Sequence, residues 1–307
     1  MKKKYIFIVG GTGFIGYHLL KKLVKNKVYK ITSLSSKKPS KSKKIKGVSY
    51  VICDVSKKKK LKKIFDKKKV NYVVNLAGYV DHKHKIKTYN SHFIGCKNLA
   101  EVLLEKKLTR FIQLGSSVEY GFMKSPQKEN YLAKIKNLKS TYGRAKLKAT
   151  ELLMKFFKKN NFPVIVLRLY IAFGPYQNTN RFMPEVINYC IKNKKFDCSH
   201  GNQKRDFIFI NDLVDIIVKC LKIGNIQGKI FNVGSGKPQK IKNIIKLITK
   251  KTSGGSPIFG KIKLRRDEPI NLYPDISKVK KYLNWKPKIS FEKGLNKTIN
   301  YYKNAKL

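Results

Sequence analysis

The sequence is poor in acidic residues: 17 Asp and Glu stand against 70 Lys and Arg, which gives a formal net charge of +53 over 307 residues. Arginine is scarce too, because only seven arginines occur and lysine supplies the other 63 basic residues. A nucleic-acid-binding surface gathers its cations on one face or stripe, whereas these lysines are spread along almost the whole chain. The distribution therefore predicts solvated lysine faces and no specific nucleic-acid partner, although the field would attract anionic substrates.

The sequence also lacks a CxxC pair, an internal repeat and any apolar run of the ~18 residues that a membrane span needs. Its five cysteines are far apart and are typical of small core residues in a reducing compartment: Cys53, Cys96, Cys190, Cys198 and Cys220. The start, "MKKKYIFIVGGTGFIG", imitates a secretion signal, but glycines break the apolar run and no cleavage site follows. These absences predict a cytoplasmic protein without membrane insertion.

Short apolar runs alternate with helical patterns through the first 170 residues. The runs predict strands at 4–10, 29–34, 48–53, 70–77, 110–115 and 162–170. Helices are predicted at 14–26, from about 56, at 91–107 and at 141–160. This alternation predicts an α/β fold, a doubly wound parallel sheet of the Rossmann type with helices on both faces. After residue 175 the rhythm loosens, so we expect an NAD(P)-binding domain over 1–175. Residues 176–307 would mainly form a smaller substrate lobe, with some segments returning to the main sheet.

The stretch "VGGTGFIG" ends the first predicted strand and opens the first predicted helix. Gly10, Gly13 and Gly16 are spaced as a dinucleotide site requires, because the turn must be tight and the backbone must approach a pyrophosphate. The helix N-terminus then offers free N–H groups to the phosphates. A structural glycine turn is the alternative, but the strand–turn–helix context favours a dinucleotide. Farther on, Asp54 in "CDV" follows the third strand, where it would accept a hydrogen bond from an adenine amino group or cap the next helix.

Tyr142 in "STYGRAK" lies four residues before Lys146, which places both side chains on one face of a helix. An ammonium group beside a phenol favours the phenolate, so the pair would exchange protons with a substrate. In a chain so rich in lysine, a surface helix with a chance YxxxK match is the alternative.

Taken in order along the chain, these motifs resemble the extended short-chain dehydrogenases/reductases, and more narrowly their NAD-dependent epimerase/dehydratase branch, which acts on nucleotide sugars. The resemblance runs from about residue 4 to 300 and rests on "GGTGFIG", "CDV", "NLAG", "GSSVEYG", "YGRAK", "LRLYIAFGP", "RDFIFINDL", "FNVGSG" and "PDISKVKKYLNWKPKISFEKGL".

The resemblance implies roles for individual residues. Tyr142 would be the proton donor or acceptor, Lys146 would hold the nicotinamide ribose and favour the phenolate, and Ser116 would bond the reacting oxygen, with Ser117 as the adjacent fallback. The implied cofactor contacts are Gly10, Gly13, Phe14, Ile15, Gly16, Ser35, Asp54, Val55, Leu76, Ala77, Gly78, Tyr142 and Lys146. The implied substrate contacts are Ser117, Arg181, Arg205 and Arg265.

Arginine suits the phosphates of a nucleoside-diphosphate sugar because its fork is bidentate and always charged. The alternative for Arg205 and Arg265 is a structural salt bridge to a nearby acid: Asp206, Asp267 or Glu268.

The chain departs from the family pattern at His92, where Asn is usual, and at Cys96, where Thr is usual. Both would touch the helix that supports the cofactor site. His82 has no neighbouring acid or cysteine at a suitable spacing, so no metal site is expected.

The reaction can be narrowed from two short stretches. Dehydratases of this family carry an acidic pair directly after the catalytic Ser/Thr, but those positions are Ser117 and Val118; Glu119 comes one residue late and should point elsewhere. At the end of the second strand, Ser35 stands where NAD-binding members carry an acid, and Lys37 and Lys38 follow it. No carboxylate would repel a 2′-phosphate and two ammonium groups would attract it, so NADP(H) is slightly favoured.

That preference favours 4-keto reduction of a hexose over 4-epimerisation. A dinucleotide-binding protein without turnover and a nucleic-acid-binding protein stay as alternatives. The family resemblance further predicts a homodimer built from the helix near 91–107 and the helix that carries Tyr142.

Overall fold

The structure is a computed structural model that describes residues 3–81, 83–264 and 268–305. Its strands, in chain order, are β1 (Lys4–Val9), β2 (Tyr29–Ser35), β3 (Val48–Ile52), β4 (Tyr72–Asn75), β5 (Arg110–Ser116), β6 (Val164–Leu169), β7 (Ile171–Phe173), β8 (Lys195–Cys198), β9 (Lys204–Arg205), β10 (Phe207–Phe209), β11 (Lys229–Val233), β12 (Gln239–Lys240), β13 (Ser256–Phe259) and β14 (Asn271–Leu272). Its helices are α1 (Phe14–Leu23), α2 (Lys58–Asp66), α3 (Lys85–Tyr89), α4 (Gly95–Leu103), α5 (Thr141–Asn160), α6 (Phe182–Ile191), α7 (Ile210–Cys220), α8 (Ile241–Thr252), α9 (Ser277–Leu283) and α10 (Phe291–Asn304). A π-helical turn, Asn90–Ile94, joins α3 to α4, and 3-10 turns span Lys41–Lys43, Ser117–Tyr120 and Ile135–Asn137.

Seven parallel strands form the main sheet in the order β3-β2-β1-β4-β5-β6-β11. The predicted fold class, a doubly wound parallel sheet, is confirmed. The chain winds outwards in one direction from β1 through β3 and in the other from β4 onwards. The carboxyl ends of β1 and β4 therefore flank the crevice where folds of this kind bind ligands.

The two faces of the sheet bury different side chains because residues alternate along a strand. On β1, Ile6 and Ile8 pack in the cluster that contains Leu20 of α1, whereas Phe7 packs on the other face with Phe65 of α2. Full burial of such a side chain contributes about 1.5–3 kcal/mol. Coverage on both faces explains why the strand sequences read as continuous apolar runs.

The helical segment before β5 begins at residue 85, six residues earlier than its sequence predicts, and ends at 103 instead of 107. The sequence conceals this start because the first turn has no buried apolar stripe: Ile86 is 78% exposed. Before residue 92 only Thr88 is buried, and apolar side chains enter the core in helical rhythm from Cys96 onwards, so the sequence pattern predicts a start at residue 91.

Beyond residue 175 the structure contains small sheets that pair β10 with β7, β13 with β8, and β12 and β14 with β9. Strand β11 joins the edge of the main sheet beside β6. The boundary near residue 175 between a cofactor domain and a substrate lobe stays a prediction.

Asn232 of β11 ties three distant segments together. Its side-chain amide donates to the Gln127 and Asp275 carbonyl oxygens, at 2.8 and 3.3 Å, and its Oδ1 accepts from the Tyr120 hydroxyl at 2.8 Å. Its backbone N–H donates to Glu129 Oε1 at 2.8 Å. The loop after β5 is therefore fixed to the sheet edge by hydrogen bonds between side chains and backbone.

Burial raises the pKa of Glu129 above its usual value, although the Asn232 N–H and Lys278 oppose the shift. Because this pKa is raised in the folded state, the protonated Glu129 carboxyl contributes to the stability of the fold. That contribution is complete below the ordinary pKa of about 4.3 and is lost as pH rises through the raised value. We expect Glu129→Gln, which keeps the acceptor oxygen, to gain stability relative to the wild type as pH rises above about 4.3. Urea unfolding at a series of pH values measures the difference in free energy of unfolding, and Glu105→Gln, at an exposed position, is the control. Parallel curves for wild type and Glu129→Gln would contradict the prediction.

Candidate active site

Glycines shape the turn between β1 and α1. Gly10 has a φ of +81°, a conformation that glycine adopts without strain. A Cβ on Gly16 would lie 2.4 Å from the Gly10 carbonyl oxygen and 2.5 Å from the Gly11 Cα, so α1 packs directly on the turn. A Cβ on Gly10 would lie 3.0 Å from the Ala77 nitrogen, which brings the segments after β1 and β4 together.

The turn also presents the start of α1. Gly13 is the N-cap, and Phe14 and Ile15 form the first turn, whose backbone N–H groups have no partner within the helix. Such a helix end carries positive partial charge and binds anions. The turn therefore has the backbone geometry that holds a pyrophosphate.

A cavity of about 460 Å³ opens at this turn. The predicted cofactor residues in its lining are Gly10, Gly13, Ser35, Asp54, Val55, Leu76, Ala77 and Gly78. The lining that was not predicted comprises Val9, Thr12, Leu34, Ser36, Cys53, Ser56, Lys57, Tyr79, Lys87, Asn90 and Ser91. Several of these neighbour predicted positions along the chain. Lys87, Asn90 and Ser91 belong to the helical segment whose start was missed.

Two predicted polar contacts are already engaged within the protein. The Ser35 hydroxyl accepts a hydrogen bond from the Thr12 N–H at 3.3 Å, so it fixes the glycine turn. Asp54 Oδ1 accepts from the Ser56 N–H at 2.9 Å. The alternative that Asp54 caps the next helix is wrong, because the N-cap of α2 is Lys57. Asp54 remains exposed at the cavity.

Tyr142 and Lys146 lie one turn apart on α5. The Ser140 hydroxyl caps this helix by accepting from the Gly143 N–H at 3.0 Å, so Tyr142 stands half-buried in the first turn. Lys146 is buried; its Nζ donates to the Leu114 carbonyl oxygen at 2.6 Å and lies 5.9 Å from the centre of the Tyr142 ring. Lys146 is therefore part of the interior, and Tyr142 lies half-buried one helical turn away.

Ser116 is the last residue of β5, two positions beyond the carbonyl that holds Lys146. Its N–H donates to Glu119 Oε1 at 2.8 Å, and its hydroxyl accepts from the Val118 N–H at 3.4 Å. A Cβ on Gly143 would lie 3.3 Å from the Val118 carbonyl oxygen. The turn after Ser116 thus packs against the first turn of the helix that carries Tyr142.

Glu119, the acid three residues after Ser116, forms hydrogen bonds within the protein core. Glu119 is fully buried, and its Oε2 accepts from Arg168 Nε at 2.8 Å and from the Thr150 hydroxyl at 2.9 Å. Burial by itself lowers the pKa of Arg168, but Glu119 and Tyr120 raise it above its usual value. The arginine therefore stays charged, and the Glu119 carboxylate is directed towards it.

The two departures from the family pattern lie beside the predicted catalytic pair. Cys96 is buried, its thiol donates to Gln113 Oε1 at 3.3 Å, and burial raises its pKa to about 12. It is therefore a neutral thiol near neutral pH. The His92 ring contacts the Tyr142 ring edge-on, with 4.8 Å between ring centres. Sequence reasoning placed His92 on the supporting helix but did not predict this contact.

A second cavity, of about 820 Å³, lies among α6, β8, α8 and the small sheets. Arg205 lines it, and its Nη2 pairs with Glu268 Oε1 at 2.7 Å. The ion pair that we considered as the alternative for Arg205 is thus present. Much of the remaining lining is apolar or aromatic, including Phe182 and Phe196.

The other predicted substrate residues are more scattered. Arg181 is exposed and precedes α6, next to Phe182 of the cavity. Ser117 is buried in the turn after β5. Arg265 lies outside the described residues, as does His82. Within the described ranges, no group of three or more His, Cys, Asp or Glu residues is placed to hold a metal ion, and no helix is both long and apolar enough to cross a membrane.

A doubly wound sheet with a glycine turn at the β1–β4 crevice and a Tyr-x-x-x-Lys helix defines the extended short-chain dehydrogenase/reductase class. Within this class, the chain belongs to the NAD dependent epimerase/dehydratase family, whose sequence model matches residues 6–234.

Individual relatives cover nearly the whole chain. The dTDP-D-glucose 4,6-dehydratase of Homo sapiens is 26% identical over 323 residues, which include 98% of this chain and 90% of the relative. The structure of UDP-glucose 4-epimerase from Thermotoga maritima with UDP-glucose has a TM-score of 0.90 at 22% identity, with 97% of this chain and 98% of that one covered.

The structure of UDP-glucuronic acid 4-epimerase from Bacillus cereus, in complex with UDP-glucuronic acid and NAD, has a TM-score of 0.87 at 24% identity. The match covers 97% of this chain and 99% of that one. At these identities the structural matches establish the fold alone. The relatives catalyse more than one reaction, because they include a 4,6-dehydratase and 4-epimerases.

Proposed function

We propose that the protein catalyses NAD(P)-dependent redox chemistry at C4 of a hexose in a nucleoside-diphosphate sugar. The observation that carries the proposal is the placement of Tyr142 and buried Lys146 beside the end of β5, where Ser116 stands. The Tyr142 hydroxyl would accept or return a proton at a sugar oxygen, and Lys146 stands one helical turn away, held at the end of β5 by the Leu114 carbonyl. Ser116 would orient that oxygen by a hydrogen bond.

The cavity at the glycine turn fits a dinucleotide. The turn leaves no room for a Cβ at Gly16, and the start of α1 would face the phosphates. Gly10, Gly13, Phe14 and Ile15 would hold the pyrophosphate, and Leu76 to Gly78 would lie against the nicotinamide half. When bound, the cofactor supplies hydride transfer, while the protein supplies orientation and the proton.

Dehydration is the reaction that we disfavour, although relatives include dehydratases. Ser117 and Val118 occupy the positions of the acidic pair, and Glu119 is committed to Arg168. Both oxygens of Glu119 already accept hydrogen bonds within the fold, from the Ser116 N–H, the Thr150 hydroxyl and Arg168, so this carboxylate is engaged in the structure and not with a substrate.

Reduction of a 4-keto sugar with NADP(H) is the specific reaction we favour. No acid stands at the end of β2, where Ser35 and Ser36 line the cavity, and Lys57 at the start of α2 adds a cation to the same lining. A carboxylate there would repel a 2′-phosphate, whereas hydroxyl and ammonium groups would accept one. The second candidate is 4-epimerisation, which is supported by the structural likeness to two 4-epimerases and by NAD in one of them.

Product analysis separates these reactions. The purified protein would be incubated with a panel of UDP-, dTDP- and CDP-hexoses and their 4-keto forms, with NAD or NADPH, and the products would be identified by mass spectrometry and NMR. Reduction adds two hydrogen atoms and consumes NADPH, epimerisation leaves the mass unchanged, and dehydration removes water. Tighter binding of NAD than of NADPH, with conversion of a UDP-hexose to its C4 epimer, would reject the reductase assignment.

We further propose that Arg205 binds the diphosphate or ribose of the substrate while paired with Glu268. Arg205→Ala is expected to raise KM for the nucleotide sugar by about 10-fold or more, because a charge-assisted hydrogen bond contributes about 1.5–3 kcal/mol, and to leave cofactor affinity unchanged. The control is Glu268→Gln, which removes the partner charge but keeps the arginine. Equal loss of substrate and cofactor affinity in Arg205→Ala would indicate a structural role.

We also propose a homodimer in which α5 and the helical segment 85–103 of each copy pack together. Sedimentation velocity at micromolar concentration tests the assembly, and a monomer there would reject it.

A further inference from the structure

His92 lies in the π-helical turn between α3 and α4, where it is 6% exposed. A π-turn inserts one extra residue into a helix, and such turns are frequent at functional sites. Here Asn90 and Ser91 of the same turn line the cofactor cavity. The π-turn therefore brings three consecutive polar side chains to the cavity and its surroundings.

One side of the His92 ring contacts Gly78 and Tyr79, the residues after β4 that form a wall of the cavity. His92 Nε2 lies 3.2 Å from the Tyr79 carbonyl oxygen, and the Tyr79 N–H donates to the Ser91 hydroxyl at 2.9 Å. A carbonyl oxygen only accepts hydrogen bonds, so the ring donates through Nε2. A Cβ on Gly78 would lie 2.0 Å from His92 Cε1. The wall residue Gly78 is therefore small where the imidazole packs.

The same ring contacts the proposed catalytic tyrosine. The His92 and Tyr142 ring planes meet at 69°, with their centres 4.8 Å apart, in an edge-to-face arrangement. Aromatic pairs of this geometry are favourable beyond the area that they bury. Tyr142 is half-buried, so a neighbour that restricts its ring also restricts where its hydroxyl points.

We propose that His92 is a positioning residue that sets the spacing between the cofactor wall at Gly78–Tyr79 and the hydroxyl of Tyr142. The proposal rests on the proposed function, in which hydride and proton are exchanged at one carbon–oxygen bond of the substrate. Those two transfers require a fixed distance between the nicotinamide position and the phenol, and a displacement of about 1 Å can cost about 10²-fold in rate. One rigid ring in contact with both sides maintains that distance.

Substitutions at His92 separate its two contacts. His92→Ala removes both, His92→Phe keeps the ring against Tyr142, and His92→Asn keeps a donor for the Tyr79 carbonyl. We expect His92→Ala to lower kcat by about 10- to 100-fold while KM and the dissociation constant of the cofactor stay within about two-fold of the wild type. Each of the two partial variants should recover part of kcat.

The matched control is Phe93→Ala, in the same turn. Phe93 packs on Tyr89 and on the core of the other sheet face, so its loss lowers stability without releasing Tyr142. Wild-type kcat in His92→Ala, or an equal loss in Phe93→Ala, would overturn the positioning role. A fall in cofactor affinity that parallels kcat would overturn it as well.

A measurement without turnover distinguishes failure of this inference from failure of the proposed function. Fluorotyrosine can be incorporated and the Tyr142 signal assigned by comparison with Tyr142→Phe. We expect His92→Ala to shift and broaden the fluorine resonance of residue 142, and Phe93→Ala to leave it unchanged. If the wild type converts no sugar on the panel, the proposed function fails while this test still decides on His92. An unchanged resonance in His92→Ala would reject the contact.

Discussion

Replacing Tyr142 with Phe is expected to lower turnover by about 10²- to 10⁴-fold, because the hydroxyl is the proposed proton donor or acceptor. The change removes one oxygen and keeps the ring, so its contact with His92 is preserved. The fold and cofactor affinity should therefore match those of the wild type. Steady-state kinetics on the best substrate of the panel, with calorimetric titration of the cofactor, measure both quantities.

A tyrosine outside the site provides the control for this variant. Tyr282 of α9 is 43% exposed, and its ring packs beside Phe231. Tyr282→Phe should keep wild-type turnover. Wild-type rates in Tyr142→Phe would reject the assignment of Tyr142, and a matching loss of cofactor affinity would mean that the phenol is mainly a binding group.

The main sheet follows from the sequence because its signals are local. The central parallel strands are buried on both faces and read as apolar runs, and Gly13 and Ser140 mark the starts of α1 and α5. The first strand ends at Val9, one residue before the prediction, because Gly10 turns with positive φ. The sequence does not reveal the start of α3, since its first turn buries Thr88 but no apolar side chain. Boundaries fail where a turn or helix is stabilised by distant neighbours instead of its own pattern.

In the candidate site, too, local features follow from the sequence and contacts between distant segments do not. Gly10, Gly13 and Gly16 were found from spacing, because the backbone of a glycine turn is a local property. The hydrogen bond from the Thr12 N–H to the Ser35 hydroxyl, in contrast, depends on how the glycine turn and the end of β2 approach each other. The ion pair of Arg205 with Glu268 was foreseen only as one alternative, since the two residues are 63 positions apart. Sequence thus predicts which residues line the cavity at the glycine turn more readily than which partners engage their side chains.

The largest loss of stability is expected from breaking the ion pair between Glu119 and Arg168. Both side chains are almost fully buried, at 0% and 4% exposure, so water cannot replace a lost partner. Arg168→Met leaves the Glu119 carboxylate without its counter-charge, and breaking a buried pair in this way costs about 3–5 kcal/mol. Glu119 also holds the Ser116 N–H, so turnover should fall with stability.

Urea unfolding of three variants tests this expectation. The double variant Glu119→Gln/Arg168→Met removes both charges and should recover much of the loss, because no buried charge remains unpaired. The control is Asp215→Asn, which breaks the exposed Lys22–Asp215 pair and should cost no more than about 1 kcal/mol. If Arg168→Met unfolds at the same urea concentration as Asp215→Asn, the buried pair does not contribute as its burial predicts. In that case the Ser116 turn would have to be held by the Val118 N–H and the packing against Gly143 alone.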